Sequence, residues 1–510
     1  MAGVVARAGA TQTRGRAVDM TRQRPFVERC GLASATRADA QAQLLQRVKA
    51  DKLHTLRLCW CDLHGQLRSK HVQADALAHA LAHGVSMVNT LLLKDLSDRT
   101  AWPVFEANGT PDWLGLSGGG NVRLIPDPER LHPLPWAPGH AWLWCQTWHD
   151  NGQPVALDTR TVLQHQVQAL HAMGLNLRVG LEVEFHVYRV LRPAEDPQGA
   201  DWPGLPPEVA LLHPGYRLLC DDYADACEPV LGLIQRTAQQ LQLPLQSLEI
   251  EMGPSQFEAV FAATDALTAA DDMVRFRHGI RQALARHGYH VTFVCRPPFA
   301  HVMASGWHVH QSLYHADSEQ PVAPNRPSTG SGSASDHLGT QGAQWLAGLL
   351  QHAPALAAMC VPSANGYARF VANALAPTSI CWGLDNRGAM LRVLGADGGG
   401  TGARIENRLP EPAANPYVVL AAQIAAGMGG IAHSLQAPPA SESPYASAHR
   451  QLPATQADAL HALLADDALA QRLGENFVRY YATIKQMEVT RHAAATDARD
   501  HDLRHHFARY

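Results

Sequence analysis

Several kinds of protein are excluded by what this sequence of 510 residues lacks. No Cys-x-x-Cys pair occurs among the nine cysteines, and no apolar run approaches the roughly 18 residues that a membrane span needs. The first thirty residues lack the apolar stretch of a secretory signal. Lysine is scarce, and a formal net charge of -4 provides no basic surface for nucleic acid. We therefore expect a cytoplasmic protein with reduced cysteines, whose partners include neither nucleic acid nor membrane.

The common nucleotide-binding motifs are also missing. No Gly-Lys dipeptide occurs, so a Walker A loop is excluded. A Gly-x-Gly-x-x-Ala match at residues 427–432 follows a predicted helix rather than a strand, which is the wrong context for a dinucleotide fold. Any nucleotide chemistry in this chain must therefore depend on other residues.

The order of predicted elements favours an α+β fold with two domains after a short extension. Residues 1–33 contain several scattered arginines and are expected to form a disordered extension. A helix, a hairpin from Leu53–Trp60 to Gln66–Val72 and further strands predict a small domain with its own sheet over 34–152. Long helices alternate with strands over 153–510, which predicts a second, larger domain.

An apolar segment of strand type, Gly180 to Tyr188, carries Glu182 and Glu184 at positions i and i+2. On a strand these two side chains point to the same face. A buried pair of carboxylates is costly unless something neutralises it. Protonation of one acid, a nearby arginine or a hard metal ion would each do so.

Other predicted strands also carry charged or imidazole side chains at every second position. If these strands are neighbours in one sheet, their polar faces form a single pocket that needs cations. Carboxylates with one or two imidazoles suit Mg²⁺ or Mn²⁺ better than structural zinc. The residues are Glu251 and Glu258 on two arms of a hairpin, His308 and His310, then Arg404, Glu406 and Arg408.

Arginines accompany these acids, at positions 369, 387 and 392. Planar guanidinium groups grip carboxylate and phosphate with two hydrogen bonds. Two metal ions together with such arginines are what in-line phosphoryl transfer needs. A metal-dependent hydrolase would explain the acids but would leave the arginines without a role.

In order and spacing, the motifs resemble those of the glutamine synthetase superfamily over roughly residues 50–490. The matching segments are Asp62-Leu63-His64-Gly65, Gly180 to Phe185, Glu251 to Glu258, Ser305 to Leu313, Asp385-Asn386-Arg387, Arg404 to Arg408 and Asn415-Pro416-Tyr417.

This resemblance implies a fold and a reaction. The implied fold is an N-terminal β-grasp domain followed by a catalytic domain with a curved antiparallel sheet surrounded by helices. The implied assembly is a ring of identical subunits, such as a dodecamer, with active sites at subunit boundaries. The implied reaction is ATP-driven amide formation, in which a carboxylate becomes an acyl phosphate that an amine attacks.

The resemblance also implies roles for individual residues, with Mg²⁺ (or Mn²⁺) as cofactor and ATP as co-substrate. The implied assignments are Glu184, Glu251 and Glu258 for a first metal, Glu182, His308 and Glu406 for a second, His310, Ser312 and Arg404 for ATP, Arg387 and Arg392 for the transferred phosphoryl group, and Glu184, Gly306, Arg369 and Arg408 for the acid substrate.

The chain departs from glutamine synthetases proper where that family holds ammonium and glutamate. A glutamate expected six residues after Arg369 is Leu375, and an ammonium-binding aspartate has no counterpart in Ser86 to Leu93. Met303-Ala304 stand where the family has asparagine and glycine to hold glutamate. An apolar Leu375 favours a bulkier amine than ammonia, as in the γ-glutamylpolyamine and γ-glutamylamide synthetase branches.

The sequence therefore predicts an ATP-dependent ligase that joins the γ-carboxylate of glutamate to an organic amine. Two alternatives stay open at this point. One is an ordinary glutamine synthetase that uses ammonia, and the other is a non-catalytic nucleotide-binding or structural member of the fold.

Overall fold

The structure, a computed structural model, describes residues 24–194, 200–323, 333–395, 402–446 and 448–510. It contains one five-stranded sheet and one nine-stranded sheet, with most helices in the second half of the chain. Within these ranges, no helix has the length and apolar character that a membrane crossing requires.

The first part of the chain forms the five-stranded sheet, in the order β2-β1-β5-β4-β3. Strand β1 runs antiparallel to β2 and parallel to β5, whereas β4 runs antiparallel to both of its neighbours. The elements are α1 (Phe26–Arg29), α2 (Ala35–Ala50), β1 (Thr55–Cys61), β2 (Leu67–Gln73), α3 (Leu77–His83), β3 (Val85–Val88), β4 (Asn121–Pro133) and β5 (His140–Trp148).

The predicted hairpin is confirmed, and its turn has a clear chemical cause. The Asp62 carboxylate accepts hydrogen bonds from the backbone N–H groups of His64 and Gln66, at 3.0 Å each. Gly65 has a φ of +74°, and a Cβ there would lie 2.5 Å from the Arg277 guanidinium. Only glycine therefore fits this turn, and the turn lies against Arg277.

The expected disordered extension needs a correction at its end. Helix α1 lies within residues 1–33, and its Phe26 and Val27 are buried against Ile125 and Trp148 of the sheet. Burial of these two apolar side chains ties this part of the extension to the domain. Residues 1–23 lie outside the described residues.

The nine-stranded sheet has the order β12-β13-β14-β11-β6-β9-β8, and β7 and β10 both pair with β6. It is antiparallel except for the parallel pair β12 and β13. The remaining elements are α4 (Thr159–Ala172), β6 (Leu175–Arg192), β7 (Glu208–Ala210), α5 (Asp221–Ala226), α6 (Glu228–Gln240), β8 (Leu245–Ile250), β9 (Gln256–Asp265), α7 (Ala266–Ala285), β10 (Tyr289–Thr292), β11 (Trp307–His315), α8 (Ala334–Gln351), α9 (Ala353–Cys360), α10 (Ala364–Tyr367), β12 (Trp382–Leu384), β13 (Leu391–Leu394), β14 (Arg404–Asn407), α11 (Pro416–Ala432), α12 (Gln456–Leu464), α13 (Asp467–Leu473), α14 (Glu475–Ala493) and α15 (Ala498–Asp502).

Strand β6, with 18 residues, is the central element of this sheet. Its odd-numbered side chains from Leu175 to Val187 are apolar and buried, and Phe185 packs against Phe257, Phe276 and Phe293. Because side chains alternate along a strand, the opposite face of the same segment carries Glu182 and Glu184. The apolar face packs in the core, and the polar face is available to bind a ligand.

The glycines of the Gly-x-Gly-x-x-Ala match serve helix packing. They lie inside α11, where a Cβ on Gly427 would meet the Trp345 ring of α8 at 2.2 Å. A Cβ on Gly430 would meet the Gln344 carbonyl oxygen at 2.0 Å. Close approach of the two helices therefore requires these glycines, which accounts for them without a bound nucleotide.

A buried polar cluster centred on Asp271 of α7 joins the five-stranded sheet to helices of the second half of the fold. Its carboxylate accepts two hydrogen bonds from Arg160 of α4, at 2.9 and 3.0 Å. It also accepts hydrogen bonds from the Trp144 indole of β5 at 3.1 Å and from the Tyr417 hydroxyl of α11 at 2.7 Å. Four donors satisfy this buried charge, which fixes the five-stranded sheet against α4, α7 and α11.

Candidate active site

Strand register brings most of the predicted site residues face to face. Glu182 of β6 lies opposite His308 of β11, and Glu184 lies opposite Glu258 of β9. Glu406 of β14 lies opposite both His310 and Arg392. Directly opposite residues in neighbouring strands project from the same face of a sheet. The polar faces of five adjacent strands, β13, β14, β11, β6 and β9, therefore form one pocket.

Glu182, His308 and Glu406 form the first of two donor groups in this pocket. His308 Nδ1 lies 2.6 Å from Glu182 Oε1 and 3.7 Å from Glu406 Oε1. One donor atom from each of the three residues lies within 4.8 Å of the others. Burial, followed by the charge of Arg408, lowers the pKa of His308 to about 4, so its imidazole is neutral near pH 7. A neutral imidazole between two carboxylates is a suitable set of donors for a divalent ion.

The second donor group contains Glu184, Glu258 and again His308, with donors within 4.8 Å of one another. Glu251, which was expected with the first two acids, lies just after β8 and outside this group of close donors. Its Oε2 accepts a hydrogen bond from the Met252 backbone N–H at 2.6 Å. Its charge nevertheless acts on both Glu184 and Glu258, so it lies at the edge of the same pocket.

The carboxylates in this pocket repel one another. Burial and the charge of Glu251 raise the pKa of Glu184 to about 8. Burial and the charges of Glu182, Glu184 and Glu251 raise the pKa of Glu258 to about 10. A divalent cation would relieve both burial and repulsion, so the chemistry of this donor set fits a metal ion.

Two arginines border the pocket at Glu406, which is fully buried. Arg392 donates to Glu406 Oε2 at 3.0 Å, and its Nε donates to Asp385 at 3.0 Å. Arg408 pairs with Glu406 Oε1 at 2.5 Å and donates to the Leu375 carbonyl oxygen at 3.1 Å. Within the described ranges, the buried Arg408 Nε has no hydrogen-bond partner. Glu406 therefore holds two guanidinium groups at the rim of the carboxylate pocket.

Arg369 and Gly306 meet beside Glu184. Three backbone carbonyl oxygens, those of Arg408, Leu409 and Pro410, accept hydrogen bonds from the Arg369 guanidinium. A Cβ on Gly306 would lie 2.7 Å from that guanidinium and 2.9 Å from His308 Nε2. The Gly306 N–H donates to Glu184 Oε2 at 2.9 Å. Only glycine leaves space between the arginine and the carboxylates at this point.

The predicted ATP-binding residues lie at the other side of Glu182. His310 Nε2 lies 3.1 Å from Glu182 Oε2, and Arg404 donates from Nε to His310 Nδ1 at 3.2 Å. The Ser312 hydroxyl donates to the Ala403 carbonyl oxygen at 3.0 Å. The three residues thus share one edge of the pocket on strands β11 and β14.

Arg387 differs from the other arginines because it is exposed in the turn between β12 and β13. Among the described residues, no ion pair involves it. Its neighbour Asp385 is occupied by Arg392. The structure therefore leaves the Arg387 guanidinium available to a ligand.

Two of the positions that depart from glutamine synthetases, Leu375 and Met303-Ala304, lie beside residues that border this pocket. Leu375 has a φ of +58°, and its side chain is 61% exposed. Its carbonyl oxygen accepts a hydrogen bond from Arg408, so the backbone of this exposed, apolar residue lies beside that guanidinium. Met303 lies beside Gly253, and the Ala304 carbonyl oxygen accepts a hydrogen bond from Gln256 at 3.3 Å.

Glu411 is a buried acid near Arg369 that sequence reasoning missed. Its Oε1 accepts a hydrogen bond from the Ser363 hydroxyl at 3.1 Å, whereas its Oε2 is buried and has no hydrogen-bond partner in the described part of the chain. Burial raises its pKa to about 7. No periodicity marks it, because it follows β14 in a loop of irregular structure.

We expect Glu411→Gln to remove one component of the pH dependence of stability. Between pH values of about 4.5 and about 7, the unfolded state has released this proton while the folded state keeps it. The unfolding free energy of the wild type therefore falls by about 1.4 kcal/mol for each unit of rising pH in this range. Above pH about 7 this contribution no longer changes with pH. A glutamine cannot ionise, so the variant lacks the fall.

Denaturant unfolding of both proteins at a series of pH values measures this component as their difference in unfolding free energy. Exposed Glu475 on α14 supplies the control variant, Glu475→Gln, which should follow the wild type. A difference between Glu411→Gln and wild type that stays constant from pH about 5 to about 7 would contradict the assignment.

Comparison with known proteins gives a consistent result. The model of the family described as glutamine synthetase, catalytic domain, matches residues 156–503. A γ-glutamylanilide synthase from Acinetobacter is 31% identical over 487 residues, which cover 94% of this chain and 96% of that protein. A γ-glutamylethanolamide synthetase from Streptomyces coelicolor is 30% identical over 91% of this chain and 94% of its own length.

A solved structure, the GmaS/ADP complex, is similar in fold, with a TM-score of 0.72. Its sequence is 27% identical, and the match covers 89% of this chain and 97% of that chain. The mixed α and β architecture with a curved sheet is therefore shared along nearly the whole length. Together with the family match, this shows that the chain belongs to the glutamine synthetase superfamily.

Proposed function

We propose that this protein is an ATP-dependent ligase that forms an amide between the γ-carboxylate of glutamate and an organic amine. One observation carries the proposal: a pocket of buried carboxylates and His308, bordered by arginines, opens next to the apolar Leu375. The names of the two relatives above, which end in anilide and ethanolamide, support the same class of reaction.

The carboxylates are proposed to hold two divalent ions, Mg²⁺ or Mn²⁺. Glu184 and Glu258, with Glu251 at the edge, would hold one ion, and Glu182, His308 and Glu406 the other. Such ions, when bound, neutralise the charge of the phosphates of ATP and of the group in transfer. The raised pKa values of Glu184 and Glu258 support this role, since a nearby cation is what would keep both acids ionised.

The surrounding residues are proposed to position the substrates. His310, Ser312 and Arg404 would contact the nucleotide, and Arg369, Arg408 and Gly306 would hold the acid substrate with its γ-carboxylate towards the γ-phosphate. Arg392, fixed between Asp385 and Glu406, and the exposed Arg387 would stabilise the phosphoryl group as it moves to form the acyl phosphate. The attacking amine then displaces phosphate and releases its own proton.

The architecture of the remaining chain is part of the same proposal. Residues 34–152 would form a β-grasp domain, since β1 and β2 form a hairpin and β1 pairs in parallel with β5. Residues 153–510 would form the catalytic domain. The active form would be a ring of identical subunits, as in the glutamine synthetases that the sequence resembles.

The proposal is tested by phosphate release from ATP with glutamate and a panel of amines. The panel contains ammonia, putrescine, spermidine, ethanolamine, short alkylamines and aniline. We expect turnover with at least one organic amine at a kcat/KM higher than that for ammonia, because no acid stands at position 375 to bind ammonium. Turnover with ammonia alone would show an ordinary glutamine synthetase, and ATP binding without any turnover would show a non-catalytic member.

We expect Leu375→Glu to shift the preference from the organic amine towards ammonia. A carboxylate there would attract a small cation and would disfavour an apolar amine, changing the ratio of kcat/KM values by about 10- to 100-fold. Leu464→Glu is the matched control, since Leu464 on α12 is similarly exposed, at 55%, and contacts none of the pocket residues named above. If Leu375→Glu leaves the ratio of kcat/KM values for the organic amine and ammonia unchanged, position 375 does not select the amine.

A further inference from the structure

A second cluster of metal-binding side chains lies outside the active site, where the C-terminal segment packs against α14. His492 is in the last turn of α14, His501 and Asp502 are in α15, and neither helix supplies a residue of the carboxylate pocket. One donor atom from each of these three residues lies within 4.8 Å of the others. This is the only such group in the described part of the chain besides the two in the active site.

The distances within this cluster suit ligation better than hydrogen bonding. His492 Nε2 and His501 Nδ1 lie 3.8 and 3.7 Å from Asp502 Oδ1, which is beyond the range of hydrogen bonds. Ligands that surround one zinc ion tetrahedrally, each at about 2.1 Å, are about 3.4 Å apart. Shifts of a few tenths of an ångström would therefore bring each histidine nitrogen to that separation from Asp502 Oδ1, and the two histidine donors already lie within 4.8 Å of each other.

His501 has no hydrogen bond that would account for its position. Its side chain is 9% exposed, and both of its ring nitrogens are buried without a hydrogen-bond partner among the described residues. Its ring stacks on His505, with centroids 4.1 Å apart, and meets His492 edge to face at 5.0 Å. Polar atoms this buried are normally paired, so the unpaired imidazole points to a ligand.

The carboxylate of the cluster is already oriented by its own neighbours. Asn365 donates to Asp502 Oδ2 at 2.8 Å, and His506 Nδ1 lies 2.9 Å from Asp502 Oδ1. Such partners behind a metal ligand fix its orientation and raise its affinity for the ion. The nearby Arg491 forms an ion pair with buried Asp95 rather than with Asp502. Its positive charge is therefore largely neutralised and does not compete with a metal ion for the Asp502 carboxylate.

The cluster also borders a cavity of about 20 Å³, lined by His492 and His501 together with Ser97, Ser363 and Glu488. A cavity of this size holds one water-sized occupant. An ion bound to His492, His501 and Asp502 could complete its coordination with a water molecule from this side.

We propose that His492, His501 and Asp502 bind one divalent ion of the zinc class, which fastens the C-terminal segment to α14. Two imidazoles and one carboxylate suit zinc, whereas Mg²⁺ prefers oxygen donors, so the cluster and the active site select different ions. The proposed site does not depend on the proposed function. Tying residues 501–510 down would also support the burial of Phe507 and Tyr510 in the body of the protein.

The test measures zinc binding to the full chain, prepared without a histidine tag. The protein is stripped with a chelator, given excess Mg²⁺ to occupy the carboxylate pocket and titrated with Zn²⁺ against a competing chelator. We expect one zinc ion per chain to be retained after desalting, measured by mass spectrometry of the metal. His501→Gln and His492→Gln should each bind zinc at least about tenfold more weakly.

Two controls make the result specific. His171→Gln changes an exposed histidine on α4 and should bind zinc like the wild type, and Glu258→Ala should also retain the ion, since Glu258 belongs to the other pocket. His492→Gln alters a ring that is 29% exposed, and the melting curve of its metal-free form should match that of the wild type. Wild type without retained zinc, unchanged affinity in both cluster variants, or loss of the ion in Glu258→Ala would each overturn the proposal.

Discussion

Glu258→Ala is expected to lower metal-dependent turnover by about 10³-fold or more while leaving the metal-free protein at least as stable as the wild type. Both effects have one cause. Glu258 is 8% exposed and lies directly opposite Glu184, so without a cation it stays protonated at a cost in stability, and with one it supplies an ionised ligand. Burial and the charges of four neighbouring glutamates raise its pKa to about 10, which reflects that cost.

Two measurements check this expectation. Phosphate release from ATP with glutamate and the preferred amine reports turnover, and thermal unfolding with and without Mg²⁺ reports stability. The melting temperature of the wild type should rise with Mg²⁺, and that of Glu258→Ala should rise less, because the variant has lost one donor.

The matched control is Glu208→Ala, which changes an exposed glutamate on β7 of the same sheet. Its turnover and its response to Mg²⁺ should equal those of the wild type. Normal turnover in Glu258→Ala, or a metal-free variant much less stable than the wild type, would remove Glu258 from the proposed metal site.

Arg387→Gln is expected to reduce kcat by about 10³-fold, since an arginine aimed at a transferring phosphoryl group contributes about that much or more. Arg387 is exposed, and no ion pair in the described part of the chain engages it, so its loss should leave folding unchanged. Arg392 is different, because it is paired with both Asp385 and Glu406, and its removal would leave a buried carboxylate with one partner fewer.

Steady-state kinetics separate the phosphoryl role of Arg387 from substrate binding. The KM values for ATP and glutamate should change little while kcat falls, as expected for an interaction made mainly in the transition state. Arg387→Lys should recover only part of the rate, because an ammonium group lacks the planar pair of donors. Arg192→Gln, at an 81% exposed arginine of β6, is the control. A kcat for Arg387→Gln within about threefold of the wild type would contradict the assignment.

Much of the candidate site was predictable because it lies on strands. Alternation along β6 places Glu182 and Glu184 on one face whatever the rest of the chain does, and the same rule pairs His308 with His310. The confirmed hairpin from β1 to β2 had a similarly local cause in Asp62 and Gly65. Features of this kind depend only on short segments of sequence, so they can be predicted without the tertiary structure.

Residues in loops and at the chain end were not predictable in this way. Glu411 becomes a buried acid only because Ser363 and Gly366 of a distant segment close over it. The histidines at 492, 501 and 505 show no period in the sequence, and α14 and α15 bring them together. The ordered helix α1 was missed because four residues are too few for a periodic pattern.

By itself, the sequence determined the superfamily, the alternation of acids and histidines on strands, and the apolar residue at position 375. Only the tertiary structure decided which donors meet. It placed His308 between two groups of carboxylates, left Glu251 at the edge, and put Leu375 beside Arg408. The physical reason is that alternation fixes the face on which a side chain lies, whereas strand register, burial and long-range packing fix its partners.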